Sequence, residues 1–256
     1  RGEATRLKYI YAGYCRKCPV QKNLVLFESF HGKDISDSPL AMARELMARE
    51  PGKYTVCFAT TNEAEHRKFV NALGMDVKLL HIHSKEYVKT LATAEYLVNN
   101  SSFPAYFIRR EGQKYLQTWH GTPLKTLGKQ MRMGIESMDN VQHNFLQANL
   151  LMFPNEFTRD AMMNDYNLND LYTGKVALCG YPRNSVFSDK DKASEIKKLL
   201  GNEEFSTLAY MPTWRGQNNY DIKTDAYKEE AGRLLVAMDE ALSDDQKLYV
   251  NFHPII

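Results

Sequence analysis

Residues 23–52 read NLVLFESFHGKDISDSPLAMARELMAREPG, and this stretch decides the fold class. The apolar run NLVLFES is short and ends in a polar loop, the pattern of a buried strand. Ser38 and Pro39 follow as a helix cap and a proline at the first helical position. LAMARELMARE then repeats its apolar residues at helical spacing until Pro51-Gly52 stops it.

The cycle recurs along the chain. YTVCFATT reads as a strand, NEAEHRKFVNALG as a helix ending on Gly74, and VKLLHIHS as a strand. KEYVKTLATA is helical and EYLVNNSS extended; QKYLQTWHG is a further strand and LKTLGKQM begins another helix. Alternation at this spacing predicts a parallel sheet with helices on both faces. The middle reads as helical in NVQHNFLQANLLMF and EFTRDAMMNDYN. GKVALCGYP is a strand, and a second strand–helix–strand series starts near residue 185 with KDKASEIKKLLG, FSTLAYMPTWRG, AYKEEAGRLLVAMDEAL and QKLYVNFHP. Three segments are expected: an irregular 1–21, a Rossmann-like acceptor domain over 22–184, and the start of a donor domain over 185–256 that breaks off.

The chain has 256 residues, 43% hydrophobic and 25% charged, enough apolar mass for a real core. A net charge of +2 excludes a strongly polybasic protein, and nucleic acid is not among the expected partners. From residue 105 to 134, however, Arg109, Arg110, Lys114, Lys125, Lys129 and Arg132 face only one acid, Glu111. That excess suits an anionic ligand or an anionic membrane surface; the plainer reading is a solvated basic face. Cys57 and Cys179 lie in apolar runs and are expected to be buried thiols. Cys15 and Cys18 form a lone C-x-x-C without the second pair that a zinc site requires. His81 and His83, two apart in an expected strand, would share a face; packing is the expectation over a metal pair. Phosphate-binding P-loop, dinucleotide, α/β-hydrolase and zincin motifs are absent from the sequence.

The expected strands end in Glu28-Ser29-Phe30-His31-Gly32, Thr60-Thr61, Ser101-Ser102 and Trp119-His120-Gly121. Ligands of doubly wound sheets sit at such carboxyl ends. TWHGTPLK carries the strongest signal. Gly121 lets the backbone bend, Pro123 suits the first turn of a helix whose N–H groups would face an anion, and Lys125 adds a cation. The imidazole of His120 is a general base near neutrality, against the plainer reading of a capping turn with an incidental histidine. His253-Pro254 repeats the form at the end of the second series. MPTWRG sets Thr213 and Arg215 just past a strand, GYPRN places Arg183 in a tight turn, and His31 in ESFHGK mirrors TWHGT.

Taken in order, ESFHGKDISDSPLAMARELM, YLQTWHGTPLKTLGKQM, FPNEFTRDAM, GYPRN, MPTWRG and NFHP resemble the CDP-glycerol glycerophosphotransferases of teichoic acid and capsule polymer synthesis, from about Asn23 to Pro254. The resemblance implies an α/β, GT-B-like fold of two Rossmann-type domains with parallel sheets, the second truncated here. It implies transfer of glycerol phosphate (or ribitol phosphate) from CDP-glycerol or CDP-ribitol to a hydroxyl of a lipid-linked acceptor, with release of CMP. The setting it implies is peripheral, at the cytoplasmic face of the bacterial membrane. His120 would be the base, His253 would stabilise the donor pyrophosphate, and Thr213 and Arg215 would contact the donor. Lys125 and Arg183 join on electrostatic grounds, and His31 is a candidate on the acceptor side. No cofactor is implied; whether Mg²⁺ takes part is open. The chain departs from the pattern at Gly216 and Ser185, where the family often carries an acid, and its donor domain is expected to be incomplete. Two other readings stay open: a GT-B glycosyltransferase using a nucleotide sugar, and a non-catalytic polymer-binding domain.

Overall fold

The computed structural model describes residues 2–132, 136, 138–212 and 224–252. It divides into two units, Arg1–Ser185 and Val186–Ile256. The first is built on a seven-stranded parallel sheet: β1 Gln21–Glu28, β2 Thr55–Thr60, β3 Lys78–His81, β4 Ala94–Asn99, β5 Lys114–Gln117, β6 Leu150–Phe153 and β7 Lys175–Leu178. The order is β3-β2-β1-β4-β5-β6-β7, so the chain winds outward one way from β1 and then restarts on its other side at β4. The carboxyl ends of β1 and β4 therefore diverge into a crevice, the topological switch point of a Rossmann-type sheet.

Alternation along the strands separates two cores. Leu24, Leu26, Cys57, Leu97, Tyr115, Leu151 and Phe153 face helices α1 Glu3–Lys17, α4 Lys85–Thr93, α5 Asp139–Gln147 and α6 Glu156–Asp165. Val25, Phe27, Val56, Phe58 and Leu79 face the other way, under α2 Asp37–Arg49 and α3 Glu63–Ala72. Phe27 and Phe58 stack across β1 and β2 with centroids 5.3 Å apart. The helices over this second face stop at β1. Beyond it, among the described residues, a groove of about 1220 Å³ runs between α2 and the strands, lined by Met42, Leu46, Tyr96, Val98, Leu116 and Leu150.

The second unit carries a two-stranded parallel sheet, β8 Ser206–Tyr210 beside β9 Gln246–Val250, with α7 Lys190–Leu199 and α8 Thr224–Ala241. The sequence spaces Ala231, Leu234, Leu235, Met238 and Leu242 as one helical core stripe along α8 and the residue after it, yet of these only Ala231 is buried. Leu235, Met238 and Leu242 are half-buried and Leu234 is exposed.

The structure departs from the sequence reading in six places. Residues 1–21 are not irregular: α1 forms because Leu7, Ile10, Tyr11 and Tyr14 recur at helical spacing, and it packs on α4. Leu150–Phe153 is a strand and not the end of a helix, since Asn149 exchanges bonds with Tyr115 (2.8 Å each way) and so enters the sheet. Residues 121–127 form no helix; the first helical turn after His120 is a 3₁₀ turn at Gly128–Gln130. Leu127 packs against the core, but Leu124 is 95% exposed, so the segment buries too little apolar surface to hold a helix. Cys179 is exposed, because it follows the edge strand β7. His83 lies in a turn with φ 66°, outside β3, so His81 and His83 share no strand face. Helix α2 is capped by Ser36, with Asp37 as its first residue.

Gly128 has φ +54°, and a Cβ there would collide with the backbone carbonyl of Asp165. Gly128→Ala should lower unfolding stability by about 2 kcal/mol or more in urea titrations. Gly52→Ala, at φ +73° with nothing near its Cβ, should cost only about 1 kcal/mol. Equal losses would show that the contact with Asp165 is not what demands glycine at 128.

Candidate functional site

Four of the eight described non-glycine residues with positive φ lie at the crevice: Phe30 (46°), His31 (58°), Asp37 (59°) and Trp119 (52°). Left-handed backbone at non-glycine positions costs of order 1–3 kcal/mol each, and it persists where the surroundings over-determine it. Here the surroundings are the turns leaving β1, β4 and β5, which are tied to one another.

The ties centre on Asn100, just past β4. Its Oδ1 accepts the Phe30 N–H at 2.9 Å, and its Nδ2 donates to Asp37 Oδ2 at 2.7 Å. Its carbonyl accepts Nδ1–H of His120 at 2.6 Å. Two residues on, the Ser102 carbonyl accepts Nδ1–H of His31 at 3.1 Å. A carbonyl oxygen only accepts, so in each neutral ring the proton sits on Nδ1 and the lone pair on Nε2. Both histidines are thereby prepared as bases. The His120 ring lies against Trp119 (centroids 4.1 Å apart, 31°) and Phe30 (5.7 Å, 59°), tilted to both.

Arg183 closes the network. Its Nη1 donates to Asp37 Oδ1 at 2.8 Å and to the His120 carbonyl at 2.8 Å, while its guanidinium stacks 4.3 Å from the Tyr181 ring centroid. The Asp37 side chain is 4% exposed and that of Arg183 32%. A carboxylate so deep requires this cation. Arg183 is thus no loose surface residue but the clamp that holds the β7 exit against α2.

The electrostatics keep both imidazoles neutral. Burial lowers the pKa of His120 below the ordinary imidazole value and the Arg183 charge adds to this, against the Asn100 bond and the Asp37 carboxylate. Burial also lowers His31, with Lys33 and His120 acting in the same sense and the Ser102 bond opposing.

Of the residues singled out from the sequence, His120, His31 and Arg183 meet here. Lys125 is exposed in the loop after His120, and no helix starts at Pro123. Gly121 does not make the bend; Trp119 does, and the position of a Cβ on Gly121 is open space. Thr213, Arg215 and His253 lie outside the described residues. No cluster of three or more His, Cys, Asp or Glu able to hold a metal occurs among the described residues. The basic run is dispersed: Arg109 Nε donates to the Gln147 carbonyl (2.7 Å), Arg110 Nη1 to the Ala92 carbonyl (2.7 Å), and Lys129 Nζ to Asn164 and Asn167. Lys114 opens β5, whereas Lys125 follows its other end. Sequence reasoning missed Asp37 and Asn100. Asp37 was hidden in the cap SDSP; Asn99-Asn100, ending a strand at the switch point, was the available signal for the second.

Replacing Arg183 removes a cation that disfavours the imidazolium and frees the Asp37 carboxylate, which favours it. Arg183→Gln should therefore raise the His120 pKa, read from its ring protons in an NMR titration. A pKa that stays or falls would contradict this electrostatic assignment.

The family described as CDP-glycerol:poly(glycerophosphate) glycerophosphotransferase matches residues 10–256. A teichoic acid poly(glycerol phosphate) polymerase of Bacillus spizizenii is 27% identical over 249 residues, 93% of this chain and 61% of the relative. A teichoic acid glycerol-phosphate transferase of Staphylococcus aureus is 27% identical over 247 residues, 92% and 61% of the two chains. A solved structure of the wall teichoic acid polymerase TagF, a histidine-to-asparagine variant soaked with CDPG, is similar with a TM-score of 0.75 at 24% identity, over 99% of this chain and 62% of that one. This chain thus spans about three fifths of the length of these relatives. The likeness to TagF carries the fold, which is α/β and GT-B-like. With the family match running through nearly the whole sequence, this chain belongs to the CDP-glycerol:poly(glycerophosphate) glycerophosphotransferase family.

Proposed function

We propose that this chain provides the acceptor-activating half of a transferase that moves glycerol phosphate from CDP-glycerol to a hydroxyl of a growing, lipid-linked polymer. The observation that carries the proposal is the pair of neutral histidines, locked as Nδ1–H tautomers at one crevice. In the step proposed, the acceptor hydroxyl attacks the phosphorus that carries glycerol. Its proton passes to Nε2 of His120, a new P–O bond forms, the pyrophosphate P–O bond breaks, and CMP leaves with the electron pair. His31 orients the acceptor from the β1 side. Such a transfer requires positioning and charge stabilisation more than covalent chemistry. Arg183 supplies charge beside His120, and its Asp37 partner keeps the guanidinium fixed. Lys125, Thr213, Arg215 and His253 complete the proposed set as donor contacts, with His253 on the pyrophosphate.

The names of the relatives support glycerol phosphate over ribitol phosphate as the transferred group. The boundaries proposed for the acceptor and donor parts are 22–184 and 185–256. No described helix is long and apolar enough to cross a membrane. Peripheral attachment at the cytoplasmic face of the membrane is the setting proposed, because a lipid-linked acceptor would be met there.

The test is CMP release from CDP-glycerol by the full-length protein with a lipid-linked glycerol phosphate acceptor. His120→Ala should reduce release about 10²–10⁴-fold, the usual worth of a general base. UDP or GDP release from nucleotide sugars would replace the donor class by that of a glycosyltransferase. Silence with every donor, together with retained polymer binding, would make the chain a binding domain.

A further inference from the structure

Below the histidines runs a buried polar chain that the proposed reaction does not use. Glu28 ends β1 with no exposed surface. Its Oε2 accepts the Tyr87 hydroxyl at 2.7 Å and its Oε1 accepts Nδ2–H of Asn99 at 3.2 Å. Asn99, equally buried, turns its Oδ1 to the Ser101 N–H. From the β5 side, Gln117 Nε2 donates to the Ser101 carbonyl at 2.7 Å, and its Oε1 accepts the Trp119 N–H at 2.9 Å. The Asn100–Ser101 peptide is therefore held through its N–H by Asn99 of β4, the next peptide through its carbonyl by Gln117 of β5, and the Ser102–Phe103 peptide through its N–H by Asn144 Oδ1 at 2.8 Å. The carbonyls on either side of that residue, Asn100 and Ser102, are the two that take Nδ1–H of His120 and His31.

Rotation of the Asn100–Ser101 peptide would withdraw the Asn100 carbonyl and release His120 to take the other tautomer. The grip is short-range and fully desolvated, so each lost partner leaves a buried polar atom unpaired. A core of apolar residues at 28 and 99 could fill the same space but could not orient the turn.

We infer that Glu28 and Asn99 are positioning residues: a buried carboxyl–carboxamide pair that orients the Asn100–Ser101 peptide so that the Asn100 carbonyl holds His120 as its Nδ1–H tautomer. The catalytic consequence rests on the base role proposed for His120; the tautomer assignment does not. The groups that face Glu28 are the side chains of Tyr87 and Asn99, with the Tyr106 and Tyr115 hydroxyls sensing its charge, and no cation is among them. Burial raises its carboxyl to about 7, against the two hydrogen bonds that favour the charged form. Both forms keep an oxygen able to accept from Asn99, so the pair tolerates a change of protonation that an ion pair would not.

The test is long-range ¹H–¹⁵N correlation of the imidazoles in the full-length protein near pH 7.5. His31→Gln and His120→Gln identify two of the seven histidines of this sequence. In the wild type both rings should show the Nδ1–H pattern. Asn99→Ala should convert His120 to a tautomer mixture and leave His31 as it was, because Asn144 still holds the Ser102–Phe103 peptide; kcat for CMP release should fall about 10–100-fold at unchanged KM, the scale on which partners that orient a histidine act. Glu28→Gln, which retains an acceptor for Asn99, should keep the His120 pattern; Glu28→Ala should lose it. Should Glu28→Ala fail to fold by thermal melting, Asn99→Ala and Asn99→Asp decide. An unchanged His120 tautomer in Asn99→Ala, or an Nε2–H ring at His120 in the wild type, would overturn the inference. Tautomers that shift as described in a protein that releases no CMP would uphold the positioning and overturn the proposed transferase.

Discussion

The bond from His120 Nδ1 to the Asn100 carbonyl, 2.6 Å long, is the contact on which the rest of the site depends. It exists because the strand order reverses between β1 and β4. A reversal leaves no helix to cover the ends of those strands, so their carbonyls need other donors. A histidine from β5 and one from β1 provide them, and in doing so each ring is committed to one tautomer. The left-handed residues at Phe30, His31, Asp37 and Trp119 follow from the same need, since the chain must double back sharply to bring the donors in. Arg183 and Asp37 then lock the arrangement from the exit of β7.

Much of this was legible in the sequence. The strand–helix alternation from residue 23 to 121 announced a parallel sheet because buried parallel strands read as continuous apolar runs. His31 and His120 were visible because each interrupts such a run with a polar residue next to glycine. What stayed hidden had physical causes. LLMF at 150–153 is too short for periodicity to separate strand from helix, and only its pairing to β5 and β7 decides. The loop after His120 has helical propensity, but it buries little apolar surface, and propensity alone does not hold a short helix. Asp37 and Asn100 look like ordinary capping and turn residues; their role appears only when elements 63 residues apart meet.

The two faces of the first sheet are unequal. One is closed by four helices; the other is covered by α2 and α3 only as far as β1, and an apolar groove lies beyond. That groove holds neither histidine, and its size does not make it the site. The chemistry lies at the strand ends, where few polar groups converge and each has a defined partner.

The most direct measurement is the pH dependence of kcat/KM for CMP release by the full-length protein. With His120 acting as a neutral base held down by burial and by Arg183, the rate should fall in acid with a single midpoint below about 6.5, the ordinary imidazole value. A midpoint at or above that value, or a rate that does not fall in acid, would contradict the role given to His120.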